Sequence, residues 1–268
     1  MTLRSEIKPA ISATGQNRAI DTDNFAIVAE SADHLVVDKP PFLLVHPTKP
    51  NGARTLWSGL RQLLAFELAN GGQISIVNRL DRETSGLVLV AKTAAAARHF
   101  GLLMQRQRIA KEYLAIVWGW PEWDHKTFDA PLARQGKHAP SPIYLKHAIH
   151  PQGLPARTEF RVERRFHRDT SAGTEFSLIR AIPQTGRTHQ IRVHLAGLGH
   201  PVVGDKIYGP DEQLYLRFIE TGWSAELERA LLLPRHALHS ATLAIDLQNR
   251  WESPLPSDLA QFVASGSP

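Results

Sequence analysis

The sequence predicts an α+β domain: a mixed, largely antiparallel sheet with flanking helices and a basic cleft across it. Three observations carry this. Short apolar or alternating segments, bounded by Gly, Pro, Asn, Asp and Ser, recur along the chain, and several are joined by tight turns as antiparallel strands are. Two runs, residues 87–91 and 111–119, are apolar on both faces, which places them inside a sheet covered from both sides. Basic residues are concentrated: residues 79–112 hold seven Arg/Lys against three Asp/Glu, and residues 134–192 hold eleven against four. Residues 211–229 lean the other way, with two Arg against five Asp/Glu. A solvated mixed surface can produce such runs. Here both basic stretches coincide with the motifs described below, which favours a polyanionic partner.

The chain has 268 residues, 43% hydrophobic, enough to fill a sizeable core, and a formal net charge of +5. It contains no cysteine, which excludes disulfides and thiolate metal sites. Residues 1–24 lack an apolar run of signal-peptide type, and no stretch approaches the ~20 apolar residues of a membrane span. The expectation is a cytoplasmic monomer: an extended leader over residues 1–24, one domain over residues 25–264 and a frayed tail over residues 265–268.

Residues 25–29 and 34–37 read as strands joined by a hairpin turn, and residues 42–46 as a short strand ended by Pro47. Thr55 can cap a helix whose apolar face carries Leu56, Leu60, Leu63, Leu64 and Phe66, stopped by Asn70-Gly71-Gly72. A short strand over residues 74–77 leads into Asn78-Arg79-Leu80-Asp81-Arg82-Glu83-Thr84-Ser85-Gly86, and the buried strand over residues 87–91 follows. Thr93 caps a helix to about Gln105, with Phe100, Leu103 and Met104 inward. After the central strand over residues 111–119, residues 121–155 form a long surface connection with room for short strands. Residues 158–166 and 175–182 make a hairpin. Thr188 caps a helix to about Leu198, where Ile191, Leu195 and Leu198 face the core. Residues 211–229 form an acidic, mostly helical insertion, residues 237–245 a strand, and Trp251 and Leu255 close the core.

Two residues stand out on local grounds. Asp81 lies between Arg79 and Arg82, on a loop at the mouth of a sheet. That suits a working carboxylate, held by a rigid scaffold yet reachable. An Asp that hydrogen-bonds its own loop is the alternative. Arg192 projects from the early part of a buried helix, where an unpaired guanidinium would be costly, so it should have a carboxylate partner.

The stretch around Asp81 resembles the signature of the RluA-type pseudouridine synthases, H-R-L-D-x-x-T-S-G followed by apolar residues and A-K. The match covers Arg79, Leu80, Asp81, Thr84, Ser85, Gly86, Ala91 and Lys92, with Asn78 in place of the usual His. Asn can still donate and accept hydrogen bonds. Asp-Lys-Pro followed by L-L-V-H-P (residues 38–47), K-x-Y-x-A-x-V-x-G (residues 111–119), T-G-R-T-H-Q-I-R-V-H-L (residues 185–195) and Leu238-His239 are similar to further family motifs. The resemblance implies the pseudouridine synthase fold, two α/β halves meeting at the cleft. It implies conversion of uridine in RNA to pseudouridine without cofactor or metal, since nothing is oxidised or hydrolysed. It makes Asp81 the catalytic carboxylate and Arg192 its partner. Tyr113, on residues alone an ordinary core tyrosine, becomes an aromatic face for uracil with a part in proton transfer, and Leu238 an apolar wall. Asp81 attacking the sugar, attacking the ring, or removing a sugar proton all remain open. The target base must leave its stack. Arg79 either fills the gap or contacts phosphate, and Arg82, Lys111, Arg187 and His189 bind phosphate or order loops. The RNA is ribosomal or transfer RNA, read as a short stem-loop by the catalytic domain itself, because a separate N-terminal RNA-binding domain of the kind many relatives carry has no room.

Three rivals weigh less. A non-catalytic RNA-binding relative would not keep Asp81, Tyr113 and Arg192 together. A glycosidase usually needs two carboxylates about 5–10 Å apart, and Glu83 is the only nearby acid. A histidine metal enzyme is disfavoured because His189 and His194 are five apart and do not share a helix face.

Overall fold

A computed structural model describes residues 25–47 and 52–267. The leader expected over residues 1–24, and Pro268, lie outside the described residues. The elements in chain order are β1 (Ala26–Glu30), β2 (His34–Lys39), α1 (Leu56–Leu63), α2 (Ala65–Ala69), β3 (Ser75–Ile76), β4 (Ser85–Ala91), α3 (Ala94–Gln105), β5 (Ala110–Trp118), β6 (His125–Asp129), β7 (Leu132–Arg134), β8 (His147–Ile149), β9 (Arg157–His167), β10 (Glu175–Pro183), α4 (Gln190–Gly197), α5 (Gln213–Thr221), α6 (Ala225–Leu231), β11 (Leu238–Ala244), β12 (Arg250–Glu252) and α7 (Ser257–Ala264). The main sheet runs β1-β2-β4-β11-β5-β10-β9-β6, with β3 also on β4 and β12 on β11. Among the described strands only β4 and β11 pair in parallel. The mixed, mostly antiparallel sheet flanked by helices is therefore as expected. Among the described residues no helix is long and apolar enough to cross a membrane.

The uninterrupted apolar run of β4 has a simple cause: both faces are covered. Val88 and Val90 point into the main core with Leu35, Val37, Leu56 and Leu60. Leu87 and Leu89 point the other way, against Phe100 of α3 and Leu243 of β11. Thr93 caps α3, accepting the Ala96 N–H at 3.1 Å. Gly86 sits where β4 meets β11 at φ 110°, and a Cβ there would lie 2.2 Å from the Ser240 carbonyl oxygen. Only glycine allows that approach.

Several expectations need correction. Residues 42–46 form no strand. Lys39 is fully buried, and its Nζ donates to the carbonyls of Pro40 (2.8 Å) and Leu43 (3.0 Å), which curls the segment into a turn with Phe42 at φ 68°. The first helix is broken at Leu64 into α1 and α2, so Leu63 and Phe66 are exposed while Leu56, Leu60 and Leu64 stay buried. Helix α7 was not anticipated. It places Leu259, Phe262 and Val263 on the main core, and its Asp258 takes a bidentate ion pair from the buried Arg235 at 2.7 and 2.9 Å. The tail is not frayed over its described part: Ser267 and His167 exchange backbone hydrogen bonds at 2.8 and 2.9 Å.

Histidines are folded in with low proton affinity. Burial lowers the pKa of His194, His239 and, most strongly, His236, where Arg192, Lys206 and Arg235 add to the effect. Burial and the Arg192 charge bring His189 to about 4. The unfolded chain takes up these protons near pH 6.5, whereas the folded chain does so only at lower pH. Their contribution is therefore present above about pH 6.5 and lost as pH falls toward the folded values. Each such ring costs about 1.4 kcal/mol per pH unit inside its window. The urea midpoint is expected to be clearly lower at pH 5.5 than at pH 7.5, and equal midpoints would contradict this.

Candidate active site

The loop between β3 and β4 is anchored on both sides of Asp81. Asn78 is buried. Its Oδ1 accepts the Leu89 N–H at 2.8 Å and its Nδ2 donates to the Leu87 carbonyl at 3.1 Å, so the side chain acts as an extra rung on β4. Beyond Asp81, the Thr84 N–H closes a turn on the Asp81 carbonyl at 3.2 Å. Thr84 Oγ1 lies 2.7 Å from His236 Nε2. Lys39 Nζ donates to the Arg82 carbonyl at 3.3 Å, and Lys206 Nζ to Glu83 Oε1 at 2.8 Å. The departure from the usual His at position 78 is thus a packing matter. Asn78→Ala should take from the buried Leu89 N–H of β4 its side-chain acceptor, at about 1–3 kcal/mol, and leave the Leu87 carbonyl with only the longer bond from Ser240 Oγ at 3.4 Å. A melting-temperature drop of several degrees checks this, and an unchanged melting temperature would refute it.

Helix α4 brings the second charge. Thr188 is not its cap. His189 occupies the N-cap in the left-handed region at φ 57°, and the helix begins at Gln190. Gln190 supports the turn instead, accepting the Arg187 N–H at 3.0 Å and the Thr185 hydroxyl at 2.7 Å. His189 Nδ1 lies 2.7 Å from the Tyr208 hydroxyl. Arg192 is buried and donates from Nη1 to Asp81 Oδ2 at 2.9 Å, across 111 residues of sequence. Its Nε and Nη2 form a second, bidentate pair with the fully buried Asp205 at 2.6 and 2.8 Å. Asp205 also accepts the N–H groups of Ile207 and Tyr208 at 3.0 and 3.1 Å. Burial opposes ionisation of Asp205, but Arg192 and the two N–H groups outweigh it and hold the carboxyl below its usual range. Burial likewise opposes the Arg192 charge, and the two carboxylates reverse that.

Asp81, partly exposed, opens with Arg192 into a cavity of about 280 Å³. Tyr113 of β5 and Leu238 of β11, both buried, line it. Burial pushes the Tyr113 phenol up to about 12, with a hydrogen bond to Ser240 acting in the opposite sense. Of the other predicted residues, Arg79, Lys111, Arg187 and His189 also stand on its walls. The cavity lining holds four Arg/Lys against one carboxylate, so the cleft is basic. Arg82 does not line this cavity. Its Nε donates to the Phe42 carbonyl at 3.3 Å, and it lines a neighbouring cavity that Arg79, Asp81 and Arg192 also line. At neutral pH His189 is uncharged, so it can offer phosphate a hydrogen bond but not an ion pair.

Sequence reasoning missed Asp205, Lys39, the Glu83–Lys206 pair and His236. For Asp205 a signal existed: a guanidinium has five donors and one carboxylate satisfies only two of them. A buried Arg therefore needs more than Asp81, and Asp205 follows 13 residues later.

A family model described as RNA pseudouridylate synthase matches residues 33–197. The chain is 37% identical over 240 residues to the ribosomal large subunit pseudouridine synthase D of Nitrosomonas europaea, covering 86% of this chain and 62% of that one. The same-named protein of Haemophilus ducreyi is 33% identical, with 97% of this chain and 75% of that one covered. Among solved structures, human RNA pseudouridylate synthase domain containing 1 superposes with a TM-score of 0.67 at 28% identity, over 94% of this chain and 91% of that one. Human RNA pseudouridylate synthase domain containing 4 shares the fold, with a TM-score of 0.68 at 21% identity. The matched region contains Asp81, Tyr113 and Arg192, and with them this chain belongs to the RNA pseudouridylate synthase family.

Proposed function

We propose that the protein isomerises uridine in RNA to pseudouridine, with Asp81 as the catalytic carboxylate. The observation that carries this is the charge chain Asp205–Arg192–Asp81, ending at a cavity lined by an aromatic ring and basic side chains. Arg192, fixed from behind by Asp205, aims one donor at Asp81 and complements its charge. In the reaction the N1–C1′ bond breaks, the ring turns, and a C5–C1′ bond forms. The C5 proton is lost and N1 gains one, so the product is an isomer and neither cofactor nor metal takes part. Asp81 is the group beside C1′, and whether it attacks sugar or ring or removes a sugar proton stays open. Tyr113 offers uracil an aromatic face and a neutral phenol for proton transfer, and Leu238 an apolar wall.

The uridine must be extruded, at a few kcal/mol. Arg79, exposed beside Asp81, takes the vacated place in the stack or the adjoining phosphate. The two bacterial relatives are named for the large ribosomal subunit, which makes its RNA the first substrate to try and transfer RNA the second. The reading places the protein in the cytoplasm, as a monomer on a structured RNA element. The test is tritium release from unmodified large-subunit rRNA and tRNA transcripts labelled at uracil C5. Release by the wild type, none by Asp81→Ala, and a product that maps to one or a few uridines support the reading. No release from bound RNA would make this a binding protein instead.

A further inference from the structure

A second cavity, of about 530 Å³, adjoins the first. It lies between the end of α3, the start of β5 and the end of β10 with the loop after it. Met104, Lys111, Pro183, Thr185, Gly186 and Arg187 line both cavities, so a strand leaving one enters the other. Among the described residues no Asp or Glu lines this groove. Lys111 and Arg187 stand at the junction. Among the described residues no carboxylate pairs with either, and Arg187 is steadied by its Nε donating to the Pro155 carbonyl at 2.9 Å. Ile109, Ile182 and Pro183 give the groove an apolar side. Gln105, Gln107 and Gln184 bring three side-chain amides to it.

Two backbone positions border the groove, and one of them lacks an internal reason. Gln107 closes α3 at φ 55°: its N–H donates to the Met104 carbonyl at 3.1 Å and the Arg108 N–H to the Leu103 carbonyl at 2.8 Å, so its left-handed backbone is how the helix ends at the groove. Gly186 has no left-handed φ, and a Cβ there would meet only Lys111 Nζ, at 3.9 Å. At Gly186 a side chain is thus left out where the fold would admit one. This fits a molecule that runs past Gly186.

We infer that this groove is a subsite for the nucleotide adjoining the target uridine, Lys111 and Arg187 holding the connecting phosphate and the glutamine amides reading the base. An amide offers a donor and an acceptor side by side, the complement of a base edge. Unstacked RNA bases are recognised by such edge contacts together with an apolar or aromatic face. The inference rests on the adjoining cavity being the uridine site.

The test uses the full chain carrying Asp81→Asn and unmodified rRNA and tRNA transcripts substituted with 4-thiouridine. After irradiation, cross-linked peptides are located by mass spectrometry. Cross-links are expected within residues 104–111 and 182–187. Gln107→Ala with Gln184→Ala should lower them several-fold and, in the otherwise wild-type protein, raise KM about 10-fold while kcat moves less. Gly186→Leu, which fills the passage, should do the same with an unchanged melting temperature. The subsite is overturned if RNA does not bind, if it binds without cross-links in either segment, or if the double variant matches the wild type. Tritium release without groove cross-links would remove the subsite and leave the activity standing, and groove cross-links without tritium release would do the reverse.

Discussion

Asp81→Asn is expected to abolish tritium release while leaving both the fold and RNA binding in place. The loss should exceed about 10⁴-fold, the scale seen when a group acting directly on the reacting atoms is removed. The fold should survive because Asp81 is not what stabilises Arg192. Its side chain is 28% exposed, whereas Asp205 is fully buried and takes two of the guanidinium's donors. Asn keeps the shape and one carbonyl oxygen for Arg192 Nη1, so a stability change within about 1 kcal/mol is expected. Binding should hold or tighten, since the only carboxylate in a cavity with four Arg/Lys is removed and the ligand is a polyanion. Tritium release, thermal melting and a binding isotherm at fixed salt separate the three quantities. Residual turnover above about 1% of wild type would mean that Asp81 positions rather than reacts.

Much of this arrangement is legible in the sequence where one local pattern has one physical outcome. A run apolar on both faces can only be an inner strand, and β4 is covered by α3 on one side and by the α1 face on the other. Thr93 caps α3 because its hydroxyl reaches a free N–H whatever the tertiary context. The joining of Asp81 to Arg192 came from resemblance, and the distance of 2.9 Å agrees with it. What stayed hidden depends on long-range contacts. Residues 42–46 have strand composition, yet Lys39 draws the Leu43 carbonyl inward and shares its Nζ with the Arg82 carbonyl. Arg82 looks like Arg79 in sequence, but Arg79 reaches the cavity lined by Tyr113 and Leu238, whereas Arg82 is held to the Phe42 carbonyl and lines only the neighbouring one. Helix α7 did leave a trace, with Leu259, Phe262 and Val263 at i, i+3, i+4 spacing after Pro256. Its short length made that trace weak. Thr188 fits a cap on composition, and the cap moved one residue on because the His189 ring is bound to Tyr208.

Asp205→Ala is expected to be the most destabilising single change near the site, by about 3–5 kcal/mol, because it leaves a buried guanidinium without its main partner. Arg192→Met should cost a similar amount, since it leaves a fully buried carboxylate with only two backbone N–H groups. Removing both charges together is a different matter. In Arg192→Met with Asp205→Leu nothing buried is left unpaired except the N–H groups of Ile207 and Tyr208. Much of the lost stability should therefore return, as it often does when a buried ion pair is replaced by apolar groups of similar volume. Activity should not return with it. Asp81 would keep its loop anchors through Asn78, Thr84 and the Arg82 carbonyl. It would lose the one donor that aims its carboxylate into the cavity. A loss of about 10²–10³ in kcat is the scale for misorienting a reacting group or removing one preorganised donor. Urea denaturation and tritium release on the two single variants and the double variant form a complete cycle. Stability recovered without turnover assigns the Asp205–Arg192 pair to orientation of Asp81. Stability and turnover recovered together would mean that the pair only holds the fold, and that Asp81 needs no partner to react.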